Sequence, residues 1–315
     1  MKRYGYLFEK ITDIDNIKLA HKNARRGKAH YQEVKEVDAD IAKYSMAIKA
    51  LLESGEYKTS PYEIKFKKDK NKIREIYKLP YFPDRIVHHA IMQVLEPIWK
   101  SSLIANTFQS IKGRGPHKAI RKLKKDILHK DVYYLQLDIR KYYPSINNAK
   151  LKEAIRQKIK CTKTLQLLDG IVDSCQGVPI GNYISQYFGN IYLNQVDHNV
   201  NSITGIKYYR YCDDIVCIGG SKEVLWHSYK EILKYFTILC ISVKKPILHK
   251  ITVRAGLDFL GYKMYSNRIL LRRSIKQRAV KHCTVDNIHS YIGWLNHCNG
   301  YNLTTKLKRI VNDRI

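Results

Sequence analysis

Lys207-Tyr-Tyr-Arg-Tyr-Cys-Asp-Asp-Ile-Val-Cys-Ile218 is a run of aromatic and β-branched residues broken in the middle by two adjacent carboxylates. Such a run reads as strand on either side of the acids, and Tyr211-Cys-Asp-Asp214 reads as a tight hairpin turn between them. Two neighbouring carboxylates in this setting repel one another and resist desolvation, so a cation should compensate them. A third acid is placed to join them. In Val132 to Ile139, Tyr133, Leu135, Leu137 and Ile139 share one strand face and Tyr134, Gln136 and Asp138 the other, which leaves Asp138 at a strand end. Hard oxygen ligands that remain open to phosphate suit Mg²⁺. Two such ions about 3.5–4 Å apart stabilise the attacking and leaving oxygens of an in-line phosphoryl displacement. The plainer reading of the same tetrapeptide is an acidic hairpin turn and nothing more.

The charge of the whole chain favours the chemical reading. The 315 residues hold 57 Lys and Arg against 28 Asp and Glu, a formal net charge of +29, which calls for a polyanionic partner. The cations are clustered. Lys65, Lys67, Lys68, Lys70, Lys72, Arg74 and Lys78 form one run, and residues 112–130 carry eight more against the single Asp126. That second run falls on a helix expected to open at Pro116, with Ala119, Ile120, Leu123, Ile127 and Leu128 inward. The last fifty residues add ten basic residues and two acids, Asp286 and Asp313. One run is ordinarily a solvated face; three at this net charge point to a nucleic-acid groove.

Other classes are excluded or disfavoured. At 44% hydrophobic and 27% charged the composition is that of a globular chain in two or three subdomains, without repeats or low-complexity tracts. No apolar run is long enough to span a membrane and the first residues lack a signal-peptide core, so a cytoplasmic protein is expected. Seven cysteines without a C-x-x-C pair suggest reduced thiols. Further helices are expected from an Asp84 cap up to Pro97, from an Asn182 cap through Tyr183 to about Val200, over 224–239, and along most of the chain beyond Ser274. Asp258 to Met264 and Ile269 to Leu271 read as a hairpin around Ser266-Asn-Arg268.

These motifs, in this order, resemble the reverse transcriptases. Tyr211-Cys-Asp-Asp214 is similar to the Y-x-D-D motif, Leu137-Asp-Ile-Arg-Lys-Tyr-Tyr-Pro-Ser-Ile146 to the first palm motif, and Phe259-Leu-Gly-Tyr262 to the primer grip. Arg74-x-Ile76, Pro80 and Asp84-Arg-Ile-Val87 resemble the fingers pattern, and Phe108, Gly113-Arg-Gly115 and His117-Lys-Ala119 the next block; the resemblance covers about residues 64–315. Anchoring on Ser185-Gln-Tyr-Phe-Gly-Asn-Ile-Tyr-Leu193 puts Pro179-Ile-Gly181 on the family's P-Q-G, which leaves Gln176-Gly177 outside the motif. The string Ile180-Gly-Asn-Tyr-Ile-Ser-Gln186 then resembles the signature of reverse transcriptases from diversity-generating retroelements, and Ser290-Tyr-Ile-Gly-Trp-Leu-Asn-His297 with Tyr301-Asn-Leu303 resembles that group's thumb.

The resemblance implies an α+β right hand: N-terminal extension and fingers over 1–134, a palm with antiparallel sheet over 135–265 from which about 151–175 return to the fingers, and a helical thumb over 266–315. It implies two Mg²⁺ ions on Asp138, Asp213 and Asp214 with the Ile139 backbone carbonyl, these three acids being the catalytic set. Arg74, Lys65, Tyr143, Ile180, Gly181 and Gln186 would meet the nucleotide, with Tyr143 as the gate against a 2′-hydroxyl, although a core tyrosine would look the same and Tyr142 is next in line. Phe259, Leu260, Gly261 and Tyr262 would grip the primer, and Lys244 or Lys245 would act as general acid. Expected partners are template RNA, the primer or cDNA strand, dNTPs and a small helical oligomeric accessory variability protein. A retron-like or defence-associated reverse transcriptase is the nearest alternative, and a non-catalytic basic RNA-binding scaffold the alternative of another class.

Overall fold

The structure is a computed structural model that describes residues 2–69 and 72–313; Lys70 of the first basic run lies outside the described residues, as does the side chain of Lys72. In chain order, four helices come first: α1 (Phe8–Ile11), α2 (Ile14–Ala24), α3 (Gln32–Ala39) and α4 (Ile41–Glu53). The starts of α2 and α4 are chemically marked, since the Asp13 carboxylate accepts from the Asp15 and Asn16 amides and that of Asp40 from the Lys43 amide. The hairpin β1 (Glu63–Asp69) and β2 (Lys72–Lys78) follows, then α5 (Ile86–Ser102) and α6 (Pro116–Ile127). Next come β3 (Tyr133–Asp138), α7 (Tyr142–Ser145), α8 (Asn148–Arg156), α9 (Thr162–Asp173), α10 (Ser185–Tyr192) and α11 (Asn194–Asn201). The strands β4 (Ile206–Tyr211) and β5 (Asp214–Gly219) precede α12 (Lys222–Ile238), β6 (Ile247–Lys250), β7 (Leu257–Phe259), β8 (Tyr262–Met264) and β9 (Ile269–Leu271); α13 (Arg273–His282), α14 (Ile288–Leu295) and α15 (Tyr301–Asn312) complete the described chain.

Every strand pairing is antiparallel: β1–β2 alone, a four-stranded sheet in the order β4-β5-β3-β6, and β7-β8-β9. The chain forms two compact units. One holds residues 1–104, 140–195 and 236–242; the other holds 105–139, 196–235 and 243–315. The first is helical around α5 and carries the β1–β2 hairpin, and residues 151–175 belong to it. The second is built on the two larger sheets, whose buried faces meet α6 and the C-terminal helices in one apolar core that includes Ile120, Leu123, Val216, Phe259, Tyr262 and Leu307. Of the residues expected inward on α6, Ala119, Ile120, Leu123 and Ile127 are buried, while Leu128 is the C-cap and only partly buried against the same core.

Several expectations are corrected. Helix α5 does not stop at Pro97 but continues to Ser102, because Ile98, Trp99 and Ser102 beyond the proline are buried, which offsets one lost backbone hydrogen bond. Asp84 does not cap it. Its buried carboxylate accepts instead from the Tyr57 hydroxyl at 2.8 Å and the Ser60 amide at 3.1 Å. Asn182 is no cap either, since its amide donates to the Tyr62 hydroxyl and the helix starts only at Ser185; the stretch expected to run unbroken to Val200 is divided at Leu193 into α10 and α11. Asp258 to Met264 is not one strand: Leu260 and Gly261, at φ of 49° and 84°, turn the chain between β7 and β8, a conformation suited to a two-residue hairpin. Among the described residues no helix is long and apolar enough to cross a membrane, and the seven cysteines are thiols outside any disulfide.

Candidate active site

The central feature of the second unit is the end of the four-stranded sheet. Antiparallel register sets Asp138, the last residue of β3, directly opposite Asp214, the first of β5, and sets Asp214 opposite Tyr211 on β4. Cys212 and Asp213 are therefore the two loop residues of the β4–β5 hairpin. Cys212 has φ of 58°, a left-handed conformation that a side chain other than glycine rarely adopts. All three aspartates are half-buried. Burial, reinforced by Asp213 and Asp138 and opposed by Arg272 and Lys244, pushes the Asp214 carboxyl up to about 6. Burial is the main cause, and the neighbouring carboxylates add to it.

Two cations stand nearby. The Lys244 ammonium donates to Asp138 Oδ2 at 2.6 Å, while the Lys244 backbone amide donates to the Asp138 carbonyl at 3.0 Å. Ile139, the next residue, is buried and paired with Val243 in an isolated antiparallel bridge. Arg272 donates from Nε to Asp258 Oδ1 at 2.7 Å. Lys245 is exposed. In kind, the aspartates fit a hard divalent cation, since they are oxygen donors with a deficit of positive charge around them. Among the described residues, however, no three His, Cys, Asp or Glu side chains converge closely enough to hold a metal ion. One Asp138 oxygen is instead occupied by Lys244.

The four grip residues are also in this unit, but they are packed rather than presented. Phe259 and Tyr262 are core residues, the Tyr262 hydroxyl donates to the Trp294 carbonyl, and a Cβ on Gly261 would lie 2.6 Å from the Trp294 ring. Only Leu260 is partly exposed.

The nucleotide-site candidates lie in the first unit. Lys65, Lys67 and Arg74 share one face of the β1–β2 hairpin, Lys67 opposite Arg74, while Phe66 and Ile73 are exposed on the other; the Lys65 ammonium is 3.1 Å from Glu63. Half-buried Ile180 accepts the Tyr77 amide on its carbonyl at 2.7 Å, and a Cβ on Gly181 would lie 2.5 Å from the Tyr77 carbonyl, so this turn is docked onto the strand that carries Arg74. Gln186 is exposed on α10. Tyr143 is half-buried on α7 and its carbonyl accepts the Val178 amide at 2.9 Å, whereas Tyr142 is buried with its hydroxyl on the Gly189 carbonyl.

Three residues with a place in this geometry escaped the sequence reading. Gly177, set aside there as outside the motif, has φ of 72°, and a Cβ on it would lie 2.8 Å from both the Tyr143 and Pro144 carbonyl oxygens. Arg210 and Asp197 form a wholly buried ion pair that reaches the carbonyl of Cys212. The available signal was Arg210 itself, a charge among strand tyrosines that needs a buried partner.

Comparisons with known proteins bear on the family and the fold. Residues 65–264 match the family described as reverse transcriptase (RNA-dependent DNA polymerase). Protein YkfC of Escherichia coli (strain K12) is 25% identical over 267 residues, covering 68% of this chain and 69% of that protein. Among solved structures, apo telomerase from Candida tropicalis superposes with a TM-score of 0.53 at 14% identity over 76% of this chain, and its form truncated of the C-terminal domain with 0.50 at 13% over 72%. The chain spans 52% and 59% of those two telomerase chains. At such identities the likeness concerns the fold, which is the α+β right-hand polymerase fold.

Proposed function

The chain belongs to the reverse transcriptase (RNA-dependent DNA polymerase) family, and from that premise we propose that it copies a template-repeat RNA into error-containing cDNA for targeted sequence diversification. Nucleotidyl transfer is carried by one observation: Asp138 and Asp214 face each other across neighbouring strands, with Asp213 in the adjoining turn. Fingers over 1–134, palm over 135–265 and thumb over 266–315 are the corresponding parts. Bound Mg²⁺ would neutralise charge developing on the reacting phosphate and activate the primer hydroxyl. The three aspartates would hold it. Lys244, hydrogen-bonded to Asp138, would give a proton to the leaving pyrophosphate once released from that carboxylate. Lys65 and Arg74 would meet the triphosphate, and Tyr143 would exclude a 2′-hydroxyl.

The diversifying role is supported by Ile180, whose apolar side chain stands where the family commonly has glutamine. Discrimination is a difference in transition-state binding, and about 1.4 kcal/mol of lost alignment is tenfold in error. Template RNA, a primer strand, dNTPs and a small helical accessory protein are the partners in this reading. The test is dNTP incorporation on a primed, adenine-rich RNA, with the cDNA sequenced. Asp213→Asn, which keeps shape and removes a charge, is expected to abolish incorporation while RNA binding persists, and Ile180→Gln to lower errors opposite adenine. Parental polymerisation by Asp213→Asn would reject the site, and equal error spectra would reduce Ile180 to a packing residue.

A further inference from the structure

The hairpin that presents Asp213 and Asp214 is bent through a left-handed Cys212, a conformation that persists only where its surroundings impose it. What imposes it is visible. The Arg210 guanidinium donates from Nη1 to the Cys212 carbonyl at 3.1 Å, and from Nε and Nη2 to the two oxygens of Asp197 at 2.7 and 2.5 Å. Asp197 is in turn saturated, because Oδ1 also accepts the Tyr208 hydroxyl at 2.8 Å and Oδ2 the Thr107 hydroxyl at 3.0 Å. Both charged side chains are 0% exposed. The backbone of Arg210 is held as well, its amide by the Asn106 carbonyl and its carbonyl by the Phe108 amide, so that residues 106–108 line the edge of β4.

A buried ion pair is a weak source of stability, since apolar side chains of similar volume commonly serve as well. Its worth here is directional. A planar fork fixed at two nitrogens by a saturated carboxylate aims the third at the Cys212 carbonyl, which a lysine's point charge would not do. We propose that Arg210 and Asp197 are positioning residues for nucleotidyl transfer, holding the Cys212 carbonyl and with it the strained turn that carries Asp213 and Asp214, the residues that would take the divalent ion. This rests on the metal-dependent reading above, and it adds residues that touch neither substrate nor ion.

The test uses the full chain and Mn²⁺ as the probe, with binding followed by electron paramagnetic resonance on the free protein. The double variant Asp197→Leu with Arg210→Met removes both charges together, so no charge stays buried without its counter-ion; it does orphan the buried Tyr208 and Thr107 hydroxyls, so its melting temperature should fall, and the folded protein is what is assayed. Its Mn²⁺ affinity should fall by about tenfold or more, as outer-shell losses do, and kcat for incorporation should fall while the KM for dNTP holds. Arg210→Lys, which retains a cation against Asp197, should show the same losses and carries the test if the double variant does not fold. Parental Mn²⁺ affinity and kcat in either folded variant would overturn the proposal. If the parent fails to polymerise yet binds Mn²⁺, and the variants bind it less, the proposed activity falls and the positioning role stands.

Discussion

Tyr143 and Gly177 show how a single backbone position can hold a candidate site residue. The Tyr143 carbonyl is held by the Val178 amide, and the approach is close enough that Gly177 has no room for a side chain and a φ that disfavours one. Gly177→Ala therefore combines left-handed strain with two backbone clashes, neither of which can relax by rotating a side chain. A destabilisation of about 1–3 kcal/mol is expected, read as a lower urea midpoint at constant slope. If Tyr143 excludes the 2′-hydroxyl, the folded fraction of this variant should also incorporate ribonucleotides more readily, because the ring moves with its carbonyl. Parental stability together with parental sugar selection would separate Gly177 from Tyr143.

At the scale of elements, α5 carries a pH dependence. His88 and His89 are buried on it, and the Nε2 of each finds no partner among the described residues. Burial, with Arg85 adding to it and Asp84 opposing for His88, pushes His88 down to about 4; burial, then Arg85 and His88, pushes His89 down to about 3. An unfolded histidine titrates near 6.5, so below that pH the unfolded chain takes up protons that the folded chain refuses. Stability should be full above about pH 6.5 and fall by about 1.4 kcal/mol per unit and per histidine as the pH drops toward 4. His88→Gln should flatten the dependence of the urea midpoint between pH 7 and 5 by about one proton, and an unchanged slope would remove His88 from the account. Helix α6 differentiates its lysines in the same way. Lys122 is hydrogen-bonded to Asn106 Oδ1 at 2.7 Å and lies over the Phe108 ring, whereas Lys124 and Lys125 are exposed.

At the scale of the molecule, a net charge of +29 makes binding to RNA a counterion-release equilibrium. The logarithm of affinity should fall linearly with the logarithm of salt concentration, with a slope of about 0.7 per phosphate neutralised on a single strand. Replacing Lys124 and Lys125 together by Gln should reduce that slope by more than one unit, and replacing Lys122 should change it less. Filter binding or fluorescence anisotropy over 50–300 mM salt, a range chosen as about that in which such slopes are read, checks both. An identical slope in the double variant would place the RNA on another face.

By itself the sequence determined the fold class and the local setting of each acid. The β4–β5 hairpin is written in the strand patterns on either side of Cys212-Asp213, a local property, and Asp138 was legible as a strand-end acid; the pairing of β3 with β5 that sets it opposite Asp214 joins segments 76 positions apart and is seen only in the structure. The same locality identified α6 and its buried face. What required the tertiary structure was every feature whose cause lies far along the chain. Pro97 is tolerated because residues beyond it are buried, Asn182 gives its amide to Tyr62 rather than to a helix, and the grip turn lies beneath Trp294. Gly177 looked unrelated to Tyr143 because 34 positions separate them, and the partnership of Arg210 with Asp197 joins a strand to a helix. Propensity and pattern report on a few neighbouring residues, whereas a buried charge or a close backbone approach is decided by which distant segment arrives to meet it.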